Sequence, residues 1–306
     1  MQLSDGKGRR AVLWGIGIPV GLLLVAVILR YYGPHAAIDG TYNNILKKSA
    51  VLSQMRIDLL KSVEMEKSAV MAVTDQESRE FAGQSLAASA AVESDLALLR
   101  PLLDAAPMED EGKLAVEFQN CWTEFRKLDH VILDLAVQNT NLKAAVLSRE
   151  KGGEAMRRFE HALDDLVRPL VGTPAEARAT RLSCRAVTAG LKLYNLHSAH
   201  IAEASDEKMD QLETQMNAEE TEAAKALDEL AGIAGEQGRA PLSQAKEAFS
   251  EFMGVTAQVI KLSRQNSNIK SLELSLGRKR NVAAQCDEIL AAFQAAVQSR
   301  TFRATR

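Results

Sequence analysis

The chain's 306 residues would serve two domains, and its apolar share of 46% is enough for a buried core. Its formal charge of -3, with no concentrated basic face in the body of the chain, argues against the phosphate neutralisation on which nucleic-acid binding depends. Aromatic residues make up only 5% of the chain while Ala, Leu, Glu, Lys, Gln and Met abound, which favours helix over strand.

Lys7, Arg9 and Arg10 precede an uncharged apolar run, Ala11 to Leu29, and Arg30-Tyr31-Tyr32 follow it. Such a run crosses a hydrocarbon core about 30 Å thick at about 1.5 Å per residue. Basic residues ahead of it favour a cytoplasmic N-terminus. The expectation is a cytoplasmic tail over 1–10, a single transmembrane anchor over 11–32 and a periplasmic remainder, in a bacterial inner membrane. A cleaved signal peptide is the competing reading; its apolar region is normally shorter, and only His35-Ala36-Ala37 resembles a cleavage site. The ten residues of the tail leave no room for an output domain on the cytoplasmic side.

Beyond the anchor, prolines fall at Pro34, Pro101, Pro107, Pro169, Pro174 and Pro241. Proline breaks helix interiors and suits helix ends, so the spacing predicts helices over 41–104, 109–168, 174–233 and 241–302. Short connections make consecutive helices antiparallel neighbours. Heptad apolar positions agree: Leu128, Leu135, Leu142, Met156 and Leu163 in the second helix, and Leu262, Ile269, Leu276, Ala283, Leu290 and Val297 in the fourth. Arg149 interrupts the second seam, so packing there loosens or shifts face.

The chain also repeats itself. Gln138-Asn139-Thr140-Asn141-Leu142-Lys143 returns 127 positions later as Gln265-Asn266-Ser267-Asn268-Ile269-Lys270; Leu60-Lys61 and Thr74-Asp75 return as Leu191-Lys192 and Ser205-Asp206, offset by 131. The reading is an all-α fold in which two hairpins of one design, 41–170 and 174–303, pack as a long antiparallel four-helix bundle, a coiled-coil rod about 90 Å long. Folding each hairpin about its tip brings Asn139, Asn266, Thr74, Asp75, Ser205 and Asp206 to one level, with Lys143 and Lys270 a turn away. A polar layer on a core seam fixes register and partner number at a cost in stability. The same layer could instead be a pocket whose amides and lysines grip a carboxylate or another small polar solute. A local helix irregularity is the third reading.

His197, His200 and Glu203 share one face of the third helix at spacings that suit metal ligands, with solvated surface as the alternative. Cys184 and Cys286 fall at nearly one height in the second hairpin and are the candidate disulfide, provided that they face each other. Cys121 reads as a buried apolar residue.

The order of basic tail, membrane helix and long helices carrying Glu66-Lys67-Ser68-Ala69, Thr74-Asp75, Ile132-Leu133-Asp134-Leu135-Ala136 and Asn139 to Ala144 resembles the four-helix-bundle sensory ectodomain of bacterial methyl-accepting chemotaxis receptors. The likeness is best over 1–170. It implies ligand sensing by helix displacement. Those receptors return through the membrane to a HAMP linker and a cytoplasmic signalling hairpin, and this sequence has neither, so the expected module works through a signalling or envelope partner, alone or as a homodimer. A bimodular variant, with two bundles stacked end to end and meeting at the polar middle, is also open. The alternative class is a structural rod that spaces or docks another envelope protein. Phosphate-binding, zinc-protease and nucleophile-elbow motifs are absent from the sequence, so neither enzymatic activity nor a cofactor is expected.

Overall fold

The computed structural model describes residues 36–300, and among them there is no strand. The expected anchor over 11–32 lies outside the described residues, among which no helix is long and apolar enough to cross a membrane.

Helix α1 (Ala36–Met71) and α2 (Asp75–Ala105) form an antiparallel hairpin. The turn is written in its capping chemistry: Thr74 Oγ1 accepts the Glu77 backbone N–H at 3.2 Å and donates to the Glu77 carboxylate at 3.0 Å. Asp75 and Glu77 in the first turn complement the helix dipole. After Pro107 comes α3 (Glu109–Ala136), continued by α4 (Thr140–Leu147), a π turn (Ser148–Gly152) and α5 (Gly153–Val167). A second hairpin, α6 (Glu176–Ala202) and α7 (Asp206–Ala231), is capped by Ser205, which accepts the Lys208 N–H at 3.4 Å. The chain then repeats the interrupted rod as α8 (Gly235–Gln265), α9 (Ser267–Leu274), a π turn (Ser275–Lys279) and α10 (Arg280–Ser299).

These elements make two bundles. The proximal module, which contains both ends of the described chain, packs α1, α2, α3 and α10 around Leu52, Leu59, Val92, Phe118, Phe125, Leu290 and Phe293. In the distal module α5, α6, α7 and α8 pack around Met156, Phe159, Leu193, Met216, Leu227 and Phe252. Each bundle is about 45 Å long at about 1.5 Å per residue. The single bundle expected from sequence is thus corrected to two shorter ones meeting at the polar middle. The predicted helices 41–104 and 174–233 fold back on themselves, because Thr74 and Ser205 are N-caps and not helix interior.

The fold-back reverses which loops share an end. The start of α1, the α2–α3 loop and the end of α10 lie together: Asn44 Nδ2 donates to Leu102 O at 3.1 Å, Lys48 Nζ to Ala106 O at 3.2 Å, and Gln298 Nε2 to Ser49 Oγ at 3.4 Å. It also overturns the Cys184–Cys286 pairing. Cys286 on α10 is bonded to Cys121 on α3, with Cα atoms 5.7 Å apart, while Cys184 is free and exposed on α6 in the other module.

The heptad seams slip where the π turns insert a residue. Leu276 is 54% exposed, whereas Ser275 and Lys279 beside it are buried. Arg149, which interrupts the seam of the second predicted helix, lies inside the other π turn. Pro101 and Pro241 sit within α2 and α8, so neither marks a boundary.

Candidate functional site

Where the modules meet, both spanning rods break on an asparagine in the left-handed region: Asn139 at φ 51° and Asn266 at φ 56°. Asparagine tolerates this conformation better than other side-chain-bearing residues. The break starts α4 and α9 side by side, each with unsatisfied N–H groups in its first turn. The repeated motif supplies the partners reciprocally. Thr140 N donates to Ser267 Oγ at 3.0 Å and Ser267 N to Thr140 Oγ1 at 3.1 Å. Asn141 N donates to Asn268 Oδ1 at 3.1 Å and Asn268 N to Asn141 Oδ1 at 3.2 Å. A second ring locks the break itself, with Asn141 Nδ2 donating to Asn266 Oδ1 at 2.8 Å and Asn268 Nδ2 to Asn139 Oδ1 at 3.0 Å. The hairpin turns are tied in by Asn139 Nδ2 to Asp75 Oδ1 (3.1 Å) and Asn266 Nδ2 to Glu203 O (2.9 Å).

Of the residues placed at this level from sequence, Asn139, Asn266, Asp75 and Lys143 come together; Lys143 Nζ is 3.1 Å from Asp75 Oδ2. Burial opposes ionisation of Asp75, but hydrogen bonds from Lys143 and Asn139 hold its carboxyl below the ordinary range. Thr74 and Ser205 serve as helix caps. Lys270 donates to Gln265 O at 3.0 Å, and Asp206, with its side chain 87% exposed, points at Arg264 instead.

Beyond the joint the histidines enter the distal core. His197 is buried, with Nδ1 2.9 Å from Ser148 Oγ on the π turn and Nε2 3.0 Å from Thr256 Oγ1. Burial first, and then neighbouring His200, pushes its pKa down to about 4. His200 is buried between Ser263 Oγ at 2.6 Å and Glu213 Oε1 at 2.9 Å, and Arg264 Nε donates to the same Glu213 oxygen at 2.7 Å. Glu203 turns away to accept the N–H groups of Ala204 and Ser205 at 3.0 and 2.9 Å. The three residues proposed as metal ligands therefore point at three separate sets of partners. Among the described residues no group of three or more His, Cys, Asp or Glu side chains is placed to hold a metal ion.

The proximal core carries a polar cluster that the sequence reading missed. Lys279, at the end of the second π turn and about 1% exposed, donates to Asp129 Oδ1 at 2.5 Å and lies 3.6 Å from the centroid of the Phe125 ring. Arg126 Nη1 is 3.3 Å from Asp129 Oδ2, and Ser89 donates to that oxygen at 3.4 Å. Ser62 links Ser89 at 2.8 Å and Ser85 at 3.3 Å. Glu66 is fully buried beside this group with no hydrogen-bond partner on either carboxylate oxygen, and Ser275 Oγ is likewise unpartnered. Burial raises the Glu66 carboxyl above its ordinary range, against the nearby Lys279 ammonium and the Ser275 hydroxyl, which lies beside the carboxyl but outside full hydrogen-bond geometry. The repeat offsets were the available signal. Adding 131 carries Glu66 onto His197; adding 127 carries Phe125 onto Phe252 and Asp129 onto Thr256, and subtracting it carries Ser275 onto Ser148 and Lys279 onto Gly152. The two modules thus build one cradle with different contents, neutral and fully partnered around His197, charged and incompletely partnered around Glu66.

No protein-family model and no curated protein matches this chain.

Proposed function

We propose that the chain is a membrane-anchored, extracytoplasmic sensory module of the chemoreceptor-like kind, which takes a small polar ligand between its helices and passes the resulting displacement along α9 and α10 to a partner in the membrane. The observation that carries this reading is the joint. No hydrophobic cluster crosses it among the described residues, and the modules are held there by reciprocal hydrogen bonds and two left-handed asparagines. A contact of that kind rotates or tilts at smaller cost than a continuous apolar seam, because hydrogen bonds exchange partners while a packed core resists deformation. The start of α1 and the end of α10 lie at one end, which suits a signal delivered where the chain meets its anchor.

The test is thermal unfolding of the full-length chain in micelles against a panel of small carboxylates, amines and divalent metals. A ligand at about 100 times its Kd stabilises by about 2.7 kcal/mol. That gain should vanish in the Asn139→Leu/Asn266→Leu double variant. No stabilisation across the panel would favour the second reading, a structural rod that docks another copy or envelope protein. The observation behind that reading is the apolar exposure along α1, where Ile57 is 57%, Leu60 55% and Met71 68% exposed.

A further inference from the structure

Glu66 sits on α1 with no partner for either oxygen, yet a cation is close by, and its counterpart His197 satisfies both ring nitrogens. A buried carboxyl without hydrogen bonds is stable only as the neutral acid; ionised, it demands a donor. Each packed element offers something different. From α3 come Asp129 and, through it, Arg126, itself paired with Glu93 of α2 at 3.0 Å. From α2 come Ser85 and Ser89, and α1 itself adds Ser62 and, further off, Lys67. The second π turn brings Ser275 and the Lys279 ammonium. Lys279 can change partners, because Asp129 keeps Arg126 and Ser89 if the lysine leaves.

We propose that the core of the proximal module is a proton-operated switch, in which loss of the Glu66 proton to water draws the Lys279 ammonium off Asp129 and the face of Phe125. The exchange conserves ion pairing: Lys279 trades one carboxylate for another, and Arg126 retains the first. Ser275, whose hydroxyl already lies beside Glu66 and favours its charged form, then closes on the second Glu66 oxygen. Both new partners of Glu66 belong to the π turn, a helical irregularity that can absorb a change of register. The turn feeds α10, which leads to the end where the described chain enters and leaves. The response needs no small-molecule ligand, and it goes beyond the ligand-sensing reading.

Trp122 reports the movement, because its ring stacks on Phe125 at 4.7 Å and Lys279 lies over the same Phe125 ring. The sequence has one other tryptophan, Trp14. In full-length Trp14→Phe protein, the emission of Trp122 should follow a one-proton transition with its midpoint above the ordinary glutamate value of about 4.3, while far-UV circular dichroism stays constant. The isosteric Glu66→Gln change should abolish the transition, and Lys279→Met should abolish it by removing the cation. A flat titration in the parent, or a transition that survives in Glu66→Gln, would overturn the proposal. If Lys279→Met does not fold, the Glu66→Gln comparison decides alone.

Discussion

Asn139 and Asn266 each serve two roles, a backbone in the left-handed region and a side chain in the joint's hydrogen-bond ring. Substitution separates these contributions. Asn139→Gly keeps the backbone conformation and loses only side-chain bonds, so it should cost about 1–2 kcal/mol. Asn139→Ala adds the steric cost of the left-handed region and should cost about 2–4 kcal/mol. Urea unfolding of the two variants at pH 7 measures the difference; equal losses would mean that the conformation carries no strain. His197 gives a pH prediction with a definite sign. Its pKa falls from 6.5 to about 4 on folding, so the unfolded chain takes up a proton first as the solution is acidified. Stability should therefore drop by about 2 kcal/mol between pH 7 and pH 5 on this account alone. His197→Gln should lose that part of the slope, as read from urea midpoints at the two pH values. Glu66 acts in the opposite sense: its raised pKa penalises the folded state as pH climbs past the ordinary carboxylate range, so Glu66→Gln should gain stability at pH 7 and not at pH 4.

The element that sets the chemistry of each core is the π turn, because it carries Ser148 to His197 and Lys279 to Asp129. A buried ion pair contributes little net stability but is costly to break. Lys279→Met, which leaves buried Asp129 with Arg126 and Ser89 alone, should cost about 1–3 kcal/mol, and Asp129→Leu/Lys279→Met should recover most of that. A double-mutant cycle by denaturant unfolding measures it, and additive losses would show that the pair does not couple. These turns also explain what the sequence concealed. Helical content and the polar level at Asn139 and Asn266 were legible, since proline spacing, heptads and a literal repeat all report local chemistry. The fold-backs at 72–74 and 203–205 were not, because Thr74 and Ser205 read equally well as members of a polar layer. The buried cluster was hidden by the extra residue in each π turn, which brings Lys279 into the core and sends Leu276, the heptad position, to solvent.

At the scale of the molecule, the sequence repeat and the spatial modules do not coincide. The distal module is one contiguous stretch, 140–265, while the proximal one combines 36–136 with 267–299 and is closed by the Cys121–Cys286 bond across 165 positions. At the distal positions equivalent to that bond stand Ala248 and Phe159, both buried in an apolar core. A disulfide over so long a loop contributes about 3–5 kcal/mol. Reduction should therefore speed amide hydrogen exchange in α3 and α10 and leave α5 to α8 unchanged; equal acceleration in both modules would mean that they unfold as one unit. The same connectivity fixes an order of events during biosynthesis. Every helix of the distal bundle has been made once residue 265 is added, but α1, α2 and α3 must wait for α10, which follows it in the chain. Until then their apolar faces stand open, and for that interval the half-made protein depends on whatever shields nascent chains in its compartment.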